Sequence, residues 1–336
     1  MTKPHKLMTL ALGAMILFAA CGKEDSTSTT PTDPASDGEK RLEWWEQHFY
    51  EKRKDHYEGA RDFSRYKFIW ENGKVKELEV YDDENQYFGS IEIIYENGKA
   101  KEIRGGSTTT TLLYTGDMVT GSISTYRDGY TSSYTYEYNA SGEIVRKTRS
   151  DGGTTYYTWE NGNLVEERYT SGTHTDTYTY TCDSKINPMR QVPIELVFHE
   201  FTYLPMEMLS KNSVTGSCES YSYGYTGRDY TYSHTYDGDY TTSWTQEWDD
   251  SYEGKYRYYF RYSDGSGMDA PLCRINVEGN VFGDGIYILG DEVILYAYSN
   301  STQRFLHWGD GNTDNPRIFT ATGDVTLQPV YEPIEE

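Results

Sequence analysis

The chain has 336 residues, a formal net charge of −22, 36% hydrophobic residues, and 34 Tyr, 7 Trp and 11 Phe. A surface this acidic repels polyanions, which excludes nucleic acid and anionic headgroups as direct partners, and acidic glycans unless a metal bridges them. Tyr, Trp and Thr favour strands and the main helix formers are scarce, so composition predicts an all-β body.

The first elements are an address and a tether. Lys3, His5 and Lys6 precede an apolar run from Leu7 to Ala20, which ends in Ala19-Ala20 and Cys21. The run is shorter than the ~20 residues that span a bilayer, so residues 1–20 are read as a secretory signal peptide. Its end resembles a bacterial lipoprotein box, with Phe18 where Leu is usual; the resemblance implies that Cys21 is lipidated and becomes the mature N-terminus. Gly22-Lys23-Glu24-Asp25 resembles the surface-export signal of Bacteroidetes lipoproteins, which implies an outer-membrane, lipid-anchored and surface-exposed location. Residues 21–40 are rich in Ser, Thr, Pro and Asp and cannot bury enough apolar surface to offset ordering entropy; they form a disordered tether.

Residues 41–66 form a charged lead-in. Leu42, Trp45 and Phe49 fall at i, i+3 and i+7, which predicts a short helix packed on a sheet edge. From Phe68 a repeat begins, each unit an aromatic-rich strand, a turn with Asn, Asp or Gly, and a charged second strand. The aligned aromatics are Trp70, Tyr95, Tyr114, Tyr138, Trp159 and Tyr180, spaced 19 to 25 residues apart. Asn72-Gly73, Asn97-Gly98 and Asn161-Gly162 are hairpin signals, because both central positions accept positive φ. The expected fold over 67–268 is a long antiparallel β-meander of repeated hairpins, a curved or wrapped sheet with Tyr and Trp on one face. These hairpins resemble YD repeats of RHS-type proteins and, more closely, a family of Bacteroides lipoproteins of unknown function. The step Asp183-Ser184-Lys185-Ile186-Asn187-Pro188 looks like that family's passage out of the last regular hairpin. The resemblance implies a fold and no activity.

Residues 272–333 predict a second, small β-rich module. Gly283-Asp284-Gly285, the run Val293-Ile294-Leu295-Tyr296-Ala297, Trp308-Gly309-Asp310-Gly311-Asn312 and Gly323-Asp324-Val325 are similar to the divergent internalin-B-type repeat of bacterial surface proteins, with Gly309 where Ser is usual.

No catalytic motif and no metal-ligand spacing stands out: H-E-x-x-H, G-x-S-x-G, a P-loop and C-x-x-C are all missing, and His199-Glu200 has no second His at metal spacing. The expectation is no catalytic residue, no metal and no cofactor. Asp310 to Asn315 echoes a calcium loop but has Ala321 where the EF-hand needs Glu, so Asx turns are expected there. With Cys21 assigned to lipid, either Cys182 and Cys218 form one bridge or Cys182, Cys218 and Cys273 stay unpaired. Trp244 and Trp248 share one face of a strand; they are either a stacking platform for sugar rings or part of the core. The functional expectation is a non-enzymatic binding or adhesion protein, held to the membrane by its lipid, with a glycan or protein ligand. The alternatives are a structural or accessory subunit of an outer-membrane assembly, and a glycan-active enzyme with two carboxylates across a cleft.

Overall fold

The structure, a computed structural model, describes residues 40–334 apart from 54–55, 58–61, 83–85, 200–208, 223–226, 249–253 and 268–271. The signal peptide, Cys21 and the tether up to residue 39 lie outside the described residues.

The body is all-β, as composition predicts, but the sheet closes. Its strands are β1 (Leu42–Arg53), β2 (His56–Tyr57), β3 (Asp62–Glu71), β4 (Lys74–Tyr81), β5 (Tyr87–Glu96) and β6 (Lys99–Gly105). The meander continues through β7 (Thr108–Thr115), β8 (Met118–Tyr126), β9 (Thr131–Tyr138), β10 (Ile144–Arg149), β11 (Thr154–Glu160), β12 (Asn163–Ser171) and β13 (His174–Ile186). After an excursion come β14 (Asn212–Tyr221), β15 (Asp229–Asp237), β16 (Tyr240–Trp248) and β17 (Gly254–Tyr262). β1 pairs antiparallel with β3 on one side and β17 on the other, so sixteen strands form a closed barrel, with the two-residue β2 an appendage. Closure leaves no sheet edge, which a wrapped sheet would have kept.

The segment read as a helix is therefore strand β1. The misreading has a physical cause. Both faces of β1 are buried: Trp45 and Gln47 point into the barrel, while Glu46, His48 and Tyr50 on the outer face are covered as well. With no solvent-exposed face, the period-2 pattern of a strand disappears.

The repeat has a definite structural content. Asn72, Asn97 and Asn161 have positive φ (51°, 52° and 53°), followed by positive-φ glycines, as the hairpin reading required. Opposite each of Trp70, Tyr95, Tyr114, Tyr138 and Trp159 the second strand carries one extra residue, a β-bulge. Each aromatic reaches the previous turn of the meander and donates to a main-chain carbonyl: Tyr95 to Val75 (3.0 Å), Tyr114 to Ala100 (2.7 Å), Tyr138 to Val119 (2.6 Å), and the Trp159 indole to Ile144 (2.7 Å). Trp70 donates to Leu42 (3.3 Å), which carries the same device across the seam. Tyr180 departs from the pattern: it lies in register opposite Ser217, and its hydroxyl donates to a side chain, the Glu167 carboxylate (3.4 Å); Tyr236, outside the recognised repeat, sits at the equivalent bulge between β15 and β16. Tyr138→Phe is expected to cost about 1 kcal/mol through loss of one hydrogen bond, read as a lower urea midpoint; no change would show that the hydroxyl contributes nothing.

Residues 187–199 and 209–211 lie in the lumen. They touch β1, β6, β7, β9 and β12, strands spread round the wall, so they must run inside it. Asn187 caps the first of two 3-10 turns, Pro188–Gln191 and Ile194–Phe198. Gln191 accepts from Leu42 N (2.5 Å), Phe198 packs edge-on against Tyr136 (4.6 Å), and the Ser210 hydroxyl accepts from Leu164 N (3.0 Å). His199 lies beside Thr110 (Nδ1 to Oγ1, 3.1 Å), and Thr110 beside Ser124 (2.8 Å). A Cβ on Gly105 would come within 2.9 Å of the His199 ring, so glycine there makes room for it. His199 is thus an anchor of the plug. The motif Asp183 to Pro188 is its entrance: Asp183 accepts from Tyr236 OH (2.6 Å), and Lys185 donates to the Gly238 carbonyl (2.9 Å).

The outer wall is polar. Lys67, Lys76, Glu92, Lys101, Arg104, Thr135 and Glu137 face out and are exposed, while Leu78, Ile91, Ile93, Ile103 and Tyr136 face in and are buried. A membrane-spanning barrel shows the reverse order, an apolar band outside and a polar lumen.

The C-terminal module contains β18 (Leu272–Val277), β19 (Val281–Phe282), β20 (Gly285–Ile288), β21 (Glu292–Ala297), β22 (Gln303–Trp308), β23 (Arg317–Thr320), β24 (Val325–Leu327) and β25 (Pro329–Pro333). Ile275, Tyr287, Val293, Leu295, Trp308 and Leu327 form its own core. Its Asp310–Asn315 loop is built from Asx turns, and both Asp310 oxygens accept from Arg317 (2.8 and 2.7 Å), which holds that carboxyl down at about 2. The module covers the barrel seam: Ile286 packs on Tyr50, Ile288 on Tyr259, Leu272 on both, and Arg257 donates to Asp291 (2.5 Å).

Candidate functional site

The residues singled out in the sequence separate in the fold. Cys182 and Cys218 form no disulfide. On the β13–β14 ladder Cys218 lies opposite Thr179 and Cys182 opposite Val214, some four residues apart, or about 13 Å along a strand. That is beyond disulfide reach, so the expected Cys182–Cys218 bridge is corrected to two cysteines outside any disulfide, with Cys273 buried in the module.

Trp244 and Trp248 do share a face, the inner face of β16. Trp244 is 7% exposed, with Tyr258 and Phe260 against its ring (5.0 and 4.8 Å). Trp248, four residues nearer the end of the barrel, is only half-buried. It lies almost parallel to Phe49 (6.0 Å, 8°), with Tyr256 at 5.5 Å and Tyr230 at 5.9 Å. Gly254 permits this: a Cβ there would sit 2.6 Å from the Trp248 ring and 3.1 Å from Phe49. The four rings come from β1, β15, β16 and β17, and each keeps part of its surface uncovered.

Beside them, Glu219 on β14 is 5% exposed. Tyr230 donates to it (2.9 Å), and the hydroxyls of Tyr178 and Tyr221 bond it too. Burial first and this carboxylate second push the Tyr221 hydroxyl up to about 12. Tyr178 is flanked in register by Glu167 and Glu219. Below the rings, one row crosses the wall: His234 opposite Trp244, Trp244 opposite Tyr258, and Tyr258 opposite Gln47. His234 Nε2, Trp244 Nε1 and Gln47 Oε1 are all buried and have no hydrogen-bond partner among the described residues. Among the described residues no cluster of three His, Cys, Asp or Glu could hold a metal ion. The arrangement can stack a flat face, while the polar row beneath it is closed to solvent.

Sequence reasoning reached Trp248 and missed Phe49, Gln47, Tyr256 and Glu219. Reading residues 44–50 at period 2 would have put Trp45, Gln47 and Phe49 on one face.

Burial holds the imidazoles of His234 and His48 below their ordinary value. The unfolded chain then takes up protons near pH 6.5 that the folded one refuses, so the stability present above that value is lost as pH falls through it. Urea midpoints measured from pH 8 to 5 are expected to fall below about 6.5; a rise would contradict the neutral burial of these rings.

No protein-family model matches the chain, and no curated protein does. Among solved structures, it is similar to a porin-like protein from Bacteroides uniformis (15% identity, TM-score 0.47, covering 66% of this chain and 98% of that one). A porin-like protein from Bacteroides vulgatus follows (11%, 0.32, covering 67% and 99%). The pore of the Photorhabdus luminescens Tc holotoxin is also similar (10%, 0.27, covering 77% of this chain and 16% of that one). At these identities and scores the likenesses establish neither fold nor function.

Proposed function

We propose that this chain is a non-enzymatic binding protein of the bacterial cell surface, lipid-anchored at Cys21 to the outer membrane, whose barrel stands in water and takes a glycan at the Trp248 end of its lumen. The observation that carries the reading is the set of four half-exposed rings, Trp248, Phe49, Tyr256 and Tyr230, gathered from four strands around Gly254. Sugar rings stack on such faces. The polar outer wall supports attachment through a lipid rather than through the barrel. The bulged aromatic hairpins support a place among YD-like repeat lipoproteins, and the independent core of residues 272–333 supports an internalin-B-type module.

The test is a glycan array probed with the full chain and with Trp248→Ala. Capture of a glycan by the native chain, weakened tenfold or more in Trp248→Ala, is expected. No capture, or capture that Trp248→Ala leaves unchanged, overturns the site and leaves the structural or accessory role as the better reading.

A further inference from the structure

We infer that the C-terminal module is held on the barrel seam across a cluster of largely buried ionisable groups, and that a proton taken up by His48 within it releases the module from the wall. The inference stands apart from the glycan reading, and neither depends on the other.

The cluster follows from the register of the seam. On the outer face His48 of β1 lies directly opposite Arg257 of β17, Glu46 opposite Tyr259, and Tyr50 opposite Lys255. On the other side of β1, Glu46 lies opposite Arg65 of β3. The His48 ring stacks on Tyr50 (6.4 Å, 7°) and meets Tyr259 edge-on (5.4 Å). These are the two rings on which Leu272, Ile286 and Ile288 of the module sit. Outward-facing residues elsewhere on the wall are polar and exposed, whereas here Glu46 and His48 are 0% exposed. The module brings Asp291 to the joint, where it accepts from Arg257 (2.5 Å).

The charged and titratable groups around His48 are thus Glu46 and Tyr50 on its own strand, Arg65 on β3, Lys255, Arg257 and Tyr259 on β17, and, through Arg257, Asp291 of the module. Arg65 pairs with Glu46, Arg257 pairs with Asp291, and Lys255 lies over the Tyr50 ring (5.3 Å). Among the described residues the joint therefore holds three cations against two carboxylates. A proton on His48 adds a fourth positive charge, directly across the ladder from the arginine that holds the module. Like charges so placed are destabilising, and more so away from water. Releasing the module returns both groups to solvent, where the charged imidazole is hydrated.

The direction is fixed by burial, which holds the docked imidazole below its ordinary value. Once released, it returns towards about 6.5. The released form then takes up a proton that the docked form refuses, so docking is at full strength above that value and weakens as pH falls below it. Lys255, pushed down to about 8 by burial, is charged on both sides of this window and adds no slope there.

The experiment is small-angle X-ray scattering of the full chain from about pH 8 to 5, extrapolated to zero concentration, with far-ultraviolet circular dichroism at each pH. The radius of gyration is expected to rise below about pH 6.5 while the strand signal holds. His48→Gln, uncharged throughout, is expected to keep the compact value to the lowest pH. Asp291→Asn, which leaves the barrel wall untouched, is expected to move the rise about one pH unit upward, the equivalent of a tenfold weaker joint. A constant radius in the native chain, an equal rise in His48→Gln, a native profile in Asp291→Asn, or a rise that comes only with loss of the strand signal overturns the inference.

Discussion

Phe198→Ala is expected to lower stability by roughly 3–5 kcal/mol, the range for removing a fully buried aromatic side chain. Phe198 is 2% exposed at the end of the second 3-10 turn, edge-on to Tyr136 and beside the anchor His199. Its loss leaves a cavity that the wall cannot collapse to fill, because the closed hydrogen-bonded ring of sixteen strands fixes the barrel's girth. Thermal or urea unfolding followed by far-ultraviolet circular dichroism reads the loss. A change below about 0.5 kcal/mol, the level of an ordinary surface substitution, would mean that the plug is a passenger in the lumen and not part of the core.

Arg65→Met is expected to cost about 3 kcal/mol, and the double variant Arg65→Met/Glu46→Leu to recover most of it. Glu46 lies on the outer face of β1 with its side chain 1% exposed, and Arg65 on β3 donates to it through Nε (2.7 Å) and Nη2. His48 sits beside it at 3.5 Å, held neutral by burial, and supplies no compensating charge. Removing the guanidinium strands a carboxylate away from water, whereas removing both partners leaves an apolar patch under the module. Equal unfolding midpoints for the single and double variants would show that the buried charge is compensated elsewhere.

Much of this fold was legible. Tyr and Thr usage marked an all-β chain, Asn-Gly turns marked the hairpins, and the spacing of Trp70 through Trp159 marked a unit now seen as one aromatic, one bulge and one captured carbonyl. Closure was not legible. It depends on β1, whose two buried faces imitate a helix stripe, and on pairing across most of the chain. The plug was hidden for a related reason: Met189, Val192, Leu196 and Phe198 have no strand or helix period, and nothing local says that the chain turns inward there. At the candidate site, Trp248 was found because Trp draws notice; Gln47 and Phe49 required the strand that the helix reading displaced.

The seam between β1 and β17 also sets an order of events. Lys40 hydrogen-bonds Ser266, 226 residues later, at 2.9 Å, and Trp45 pairs with Phe260. The hairpins from β3 to β13 are local and can form as the chain emerges, but the ring cannot shut until β17 has arrived. Until then one side of the first strand is an unpaired edge open to the wrong partner. The module comes directly after β17 and lays Leu272, Ile286 and Ile288 across the join. In kinetic terms it is a latch fitted last, and a chain truncated before residue 272 is expected to close and reopen far more often than the complete protein.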